Sequence, residues 1–254
     1  MTRLILSLWL GLFPAVLIAE SIVLGLSSDQ VRITTQFDGS DILIFGAVKR
    51  EAPIPKNTEL DVIITVAGPS EPLTVRRKSR QFGIWVNSEA VEVDAAPSFY
   101  AVAASGKLED VIKDIEDLRY KISVERAIRS VGAPMTIRNA QLFSDAVIRI
   151  RQRENLYQQL DNQVAVDQQT LFRTAIRMPA NLTEGDYATR IFLARGGTII
   201  SQYETTIDVR KVGLERWLFS LSRTQPLLYG LMSLAIAIAA GWGASAAFRW
   251  VRIR

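Results

Sequence analysis

With 254 residues, 48% of them hydrophobic, the chain has room for one sizeable domain plus membrane segments. Lys and Arg number 30 against 26 Asp and Glu, and three of the arginines lie in the terminal tail, so the mild positive balance gives no reason to expect a nucleic-acid partner. The complete absence of Cys and His excludes disulfides, thiolate nucleophiles, imidazole acid–base chemistry and most zinc or copper sites; no metal and no cofactor are expected.

Residues 1–19, MTRLILSLWLGLFPAVLIA, carry one charge at Arg3 and then an apolar run that Pro14 interrupts, ending in small-residue context at Ala19. This is the anatomy of a signal peptide. An uncleaved anchor is the alternative, because Leu17 is not the small residue expected two positions before Ala19. Either way residue 20 onward is directed across the membrane.

Val31, Ile33, Thr35 and Phe37 alternate at strand period, a turn follows at Asp38-Gly39-Ser40, and Ile42 to Val48 is apolar on both faces, which suggests a two-layer core. Pro53 and Pro55 mark a loop. Leu60, Val62, Ile64 and Val66 then alternate up to Gly68-Pro69, and short strands are expected at Leu73 to Arg80, Ile84 to Asn87, Ala90 to Asp94 and Phe99 to Ala104. Ser105 can cap a helix bearing Leu108, Val111, Ile112, Ile115, Leu118 and Ile122 at helical spacing, ending near Gly132 and Pro134. A second amphipathic helix spans about Asn139 to Leu160. Strands resume at Val164 to Met178, Tyr187 to Ala194 and, after Gly196-Gly197, Ile199 to Val209. Glu184-Gly185-Asp186-Tyr187 resembles a tyrosine corner, in which a phenol hydrogen-bonds nearby backbone; a core tyrosine at a strand start is the plainer alternative.

Val212, Leu214, Trp217, Leu218 and Leu221 form one stripe of a short helix at 211–225. Pro226 to Phe248 then gives 23 residues without a charge. A helix of that length rises roughly 34 Å, enough to cross a bilayer core of about 30 Å. Arg249, Arg252 and Arg254 follow and, by the positive-inside rule, belong in the cytoplasm. Trp217, Tyr229 and Trp250, with those three arginines, suit the membrane interface. Ala235, Ala239, Gly243 and Ala247 repeat at intervals of four, a small-residue ridge for helix association or simply an alanine-rich anchor.

The expected fold is therefore mainly β. It is an antiparallel Ig-like β-sandwich at 20–210 with a two-helix insert at about 105–160, flanked by an N-terminal signal segment and one C-terminal transmembrane helix with a basic tail at 249–254.

FDGSDILIFGA at 37–47, VRRKSRQFGIWVN at 75–87, PSFYAVA at 97–103, EGDYATRIFLARGG at 184–197 and the ending LERWLFSLSRTQPLLYG resemble the alphaproteobacterial putative transmembrane protein family. The resemblance covers essentially the whole chain. It implies an exported domain with one C-terminal span and supplies no catalytic residues.

The most unusual local feature is Arg76-Arg77-Lys78-Ser79-Arg80, followed by Phe82-Gly83-Ile84-Trp85. On a strand, Arg76, Lys78 and Arg80 point the same way and repel one another unless something anionic is near: lipid headgroups, an anionic solute or acidic residues of another protein. Trp85 offers a flat surface beside them. A solvated edge strand, whose cations discourage aggregation, is the structural alternative. The carboxylates at Glu109, Asp110, Asp114, Glu116 and Asp117 fit the polar face of the first helix, and no nucleophile elbow, phosphate loop or calcium loop is present, so no enzymatic activity is expected. The partners expected are the lipid bilayer and another membrane or periplasmic protein, reached in part through the transmembrane helix. The functional expectation is an accessory module of an envelope or transport assembly, with an anion-binding or sensing domain for a transporter as the alternative.

Overall fold

The structure is a computed structural model that describes residues 20–34, 37–50, 53–54, 58–128, 140–212 and 214–252, with side chains undescribed at 140, 214–216 and 246–252. The segment read as a signal peptide, 1–19, lies outside the described residues.

The fold is mainly β. Twelve strands and six helices follow in the order β1 (Glu20–Leu26), β2 (Gln30–Ile33), β3 (Ser40–Arg50), β4 (Asp61–Ala67), β5 (Ser70–Gln81), β6 (Ile84–Pro97), β7 (Tyr100–Ala104), α1 (Leu108–Val111), α2 (Asp114–Tyr120), α3 (Val124–Ala127), α4 (Ala140–Arg153), β8 (Tyr157–Leu160), β9 (Ala165–Asp167), β10 (Leu171–Met178), β11 (Gly185–Arg195), β12 (Thr198–Lys211), α5 (Leu214–Thr224) and α6 (Pro226–Arg252) among the described residues.

One sheet has the order β1-β3-β10-β9 and the second β2-β12-β11-β4-β7-β8, while among the described residues β5 and β6 pair only with each other. A single hydrophobic cluster joins the two larger sheets: Ile22, Ile44, Phe172 and Ile176 of the first meet Ile64, Tyr187, Ile191 and Val209 of the second. Burying such side chains contributes about 1.5–3 kcal/mol each, so this shared interior is the main cohesive element. The opposite face of the second sheet is covered by the helices, where Arg190 donates to the Tyr120 carbonyl at 2.8 Å and the Phe192 ring lies 5.6 Å from that of Tyr120.

Several expectations are corrected. Pairing is not wholly antiparallel, since β2 runs parallel to β12 and β8 parallel to β7. The strand buried on both faces is β4, not β3; Leu43 and Phe45 of β3 are exposed because nothing among the described residues covers the outer face of the first sheet. Among the described residues the insert holds four helical segments rather than two. Its first helix breaks at Ile112, which bridges to Gly197 of the β11–β12 turn, and again at Lys121, which takes a left-handed conformation. Ser105 does not cap it, for its hydroxyl donates to Asp61 at 2.9 Å, and Lys107 precedes α1 without a side-chain cap. The second helix ends at Arg153 rather than near Leu160: Asn155 turns left-handed, and Tyr157–Leu160 joins the edge of the sheet. The two strands expected around Asn87 and Ala90 are one, β6, interrupted by a bulge. The first strand, Glu20–Leu26, was masked in the sequence by its continuity with the preceding apolar run.

Glu20 opens β1 in a nearly dry site. Its carboxylate accepts from Arg50 at 3.2 Å and Arg195 at 3.0 Å, and Arg195 also donates to the Thr58 carbonyl at 2.7 Å. The Tyr187 ring is fully buried against Phe99, and its hydroxyl donates to the Thr183 carbonyl four residues upstream at 2.7 Å.

Candidate functional site

The site grows from the β4–β5 corner. Gly68 donates to the Phe99 carbonyl and Ser98 to the Pro69 carbonyl, both at 2.8 Å, which pinches the chain where it leaves the sheet. A Cβ at Gly68 would come within 2.6 Å of Ser98 Oγ and 3.0 Å of the Tyr187 ring, so glycine is required for this close approach. From there β5 and β6 form a ribbon. Its base is anchored by buried Val91, Val93 and Ala96, by Tyr157, whose hydroxyl donates to the Pro97 carbonyl at 2.8 Å, and by Arg151 of α4, which donates to the Ser98 carbonyl at 3.1 Å. Burial pushes the Tyr157 phenol up to about 12, and burial likewise raises Tyr100 to about 12, whose hydroxyl donates to the Ile122 carbonyl at 2.7 Å. These phenols are therefore neutral fasteners.

Beyond Arg76 no side chain of the ribbon is buried until Val91. At about 3.3 Å per residue, six residues carry the strand from Arg76 roughly 20 Å to the tip. Register places Arg76 opposite Ala90, Lys78 opposite Asn87 and Arg80 opposite Trp85. With side chains alternating along each strand, Arg76, Lys78, Arg80 and Trp85 share one face. The extra residue of the bulge is Ser88 on β6, so the cation spacing on β5 is uninterrupted. Arg77, on the other face, pairs with Glu89 at 3.0 Å. Among the described residues Arg76, Lys78 and Arg80 have no ion-pair partner.

At the tip Gln81 pairs with Ile84 across the two residues Phe82 and Gly83. Both have positive φ, 49° and 87°, which is the backbone of a type I′ turn whose twist matches the ribbon. Asn-Gly is the unstrained choice there; a phenylalanine in the left-handed region costs about 1–2 kcal/mol. Phe82 nonetheless is fully exposed, with Ile84 65% and Trp85 69% exposed. An apolar tip held by a strained residue points to function rather than to packing. Phe82 and Ile84 were missed as site residues in the sequence, where the only signal was Phe-Gly separating two strand runs by two positions.

Other predicted residues lie elsewhere. Trp217 and Phe219 are exposed on α5, with Arg223 placed 5.4 Å over the Phe219 ring. Ala235, Ala239 and Gly243 are exposed on α6, and Tyr229 near its start donates its backbone N–H to the Gln225 carbonyl. Ala247, Arg249, Trp250 and Arg252 lie on α6, their side chains outside the described residues, as is Arg254 entirely. Of the carboxylates, Glu116 is buried and accepts from Arg119, and Asp117 accepts from the Ile122 and Ser123 N–H groups, so both organise the insert. A groove of about 550 Å3 beside them is lined by Glu109, Asp114 and Glu125 and does not include the ribbon.

Pro226–Ser245 of α6 has a mean hydropathy of 1.7, and none of it is buried within the chain, so this helix is long and apolar enough to cross a membrane. Residues 21–250 match the model of a family described as "putative transmembrane protein (Alph_Pro_TM)". The chain belongs to that family. The match takes in the strand-rich domain, the ribbon and the apolar helix together. Comparison with curated proteins finds no match.

Proposed function

We propose that this chain is a membrane-tethered, non-catalytic contact module: an Ig-like domain displayed on the periplasmic face of the inner membrane, its signal segment directing export and its arginine-rich tail left in the cytoplasm, serving an envelope or transport assembly. The carrying observation is the β5–β6 ribbon, which presents Arg76, Lys78, Arg80 and Trp85 on one face and leaves Phe82, Ile84 and Trp85 in solvent. Apolar surface of that kind, unsupported by the chain's own core, is what a contact surface offers. Support for the Ig-like assignment comes from the strand order, in which β1-β3-β10-β9 corresponds to an ABED sheet and β12-β11-β4 to GFC, and from Tyr187 at the start of the F-equivalent strand bonding back to Thr183. Such a domain commonly presents surfaces without chemistry of its own.

Anion capture by an enclosed pocket is less well served by this geometry, because Trp85 stands in solvent rather than walling a cavity. A photo-crosslinking side chain placed at Phe82 or Trp85 in native membranes is expected to give adducts, and the same group at exposed Asn181 none. Absence of adducts from both tip positions would remove the contact surface and with it this reading.

A further inference from the structure

We propose that the ribbon is a second membrane contact, whose tip enters the headgroup layer of a bilayer containing anionic lipid. The inference rests on the ribbon being a contact surface and names what it touches. Trp85 and Ile84 are neighbours on β6 and so face opposite sides of the ribbon, while Phe82 occupies its end. Apolar side chains thus surround the tip. A protein surface covers one side of a ribbon; a lipid medium covers all of it.

The cations are at the depths such a medium requires. Arg80 lies level with Trp85, Lys78 about 7 Å farther from the tip and Arg76 about 13 Å, taking 3.3 Å per residue. Interfacial segments enter about 5–10 Å, to the boundary of headgroups and acyl chains. Seated so, Phe82, Ile84 and Trp85 reach the upper acyl carbons, Arg80 and Lys78 meet lipid phosphates, and Arg76 stays within about one Debye length, 8 Å, of the negative surface. From Lys78 to Ser88 the tip carries no acidic residue, and Glu89 is engaged by Arg77 on the other face. The ribbon leaves the second sheet at Pro69, packed beside Gly185, whose partner Val209 lies two residues before β12 ends at Lys211 and the chain turns toward α6; on a chain tethered there, a contact too weak to hold a free protein suffices.

The cysteine-free chain permits a direct test. The full chain carrying Gln81→Cys, labelled with a polarity-sensitive fluorophore, is reconstituted in vesicles of phosphatidylcholine alone or mixed with phosphatidylglycerol, with Asn181→Cys as control. Expected is a blue shift and quenching by headgroup-level spin-labelled lipid at position 81 only, and only with phosphatidylglycerol. Neutralising each of Arg76, Lys78 and Arg80 should lower the ratio of inserted to free tip about fivefold. Arg76→Lys with Arg80→Lys should retain insertion. A probe that stays aqueous in the anionic vesicles overturns the proposal. If tip crosslinks then lead to a protein, the contact-module reading stands without it; if there are no adducts at all, both fall.

Discussion

Arg50 and Arg195 share one carboxylate in a site closed to water, whereas Arg76 and Arg80, on an antiparallel ribbon whose register shifts twice, stand in solvent with no ion-pair partner among the described residues. The same guanidinium therefore plays two parts. In the interior its value is fixed by the partner that offsets desolvation, and removing that partner is costly; on the ribbon it contributes little to stability. What distinguishes the two places is the shared core: the first pair links the ends of β3 and β11, one strand from each stacked sheet, through Glu20, and the ribbon leaves the sheets at Gly68 and Ser98.

The sharpest way to break this contrast is Glu20→Ala, which leaves two buried cations unpaired and should cost about 3–5 kcal/mol in urea unfolding of the detergent-solubilised chain. Comparable loss from Arg76→Ala would contradict the distinction. Next comes alkaline pH. Burial holds the Tyr100 and Tyr157 phenols near 12, above the ordinary 10 of the unfolded chain, so their contribution is complete below pH 10 and is lost as pH rises toward 12. The unfolding midpoint should fall across that window, with a smaller fall in Tyr157→Phe.

Tyr187→Phe removes the hydroxyl that donates to Thr183 and should cost about 1–2 kcal/mol by the same assay, marking the buried corner as structural. Phe82→Gly should do the opposite. It relieves a left-handed phenylalanine and stabilises the chain by about 0.5–1 kcal/mol while abolishing tip crosslinking. Smallest of all, Arg76→Ala and Arg80→Ala should each shift stability by no more than about 0.5 kcal/mol.

Strand-rich architecture and the membrane helix were legible because period-two alternation and a long uncharged run are local signals, as at Leu60 to Val66 and Pro226 to Phe248. Helix breaks were not. The stripe from Leu108 to Ile122 reads as continuous, and it is divided by a backbone bridge from Ile112 to Gly197, a contact between residues far apart in the chain. Tyr157 to Leu160 continued the helical pattern of α4 for the same reason, since its strand character comes from pairing with β7. At the candidate site, Arg76, Lys78 and Arg80 can be placed on one face by counting, but their alignment with Trp85 depends on the two-residue turn at Phe82-Gly83. Ser105 has the local pattern of a cap, and nothing near it in the chain reveals that Asp61 accepts from its hydroxyl.

We propose that the strand-rich domain and the arginine tail lie on opposite sides of one bilayer. Single cysteines at Asn181 and Arg254, in a chain that otherwise has none, can be exposed to a membrane-impermeant maleimide on intact spheroplasts. Labelling at 181 alone, with 254 reacting only after the membrane is opened, is the predicted result. Equal labelling of the two before permeabilisation would contradict it.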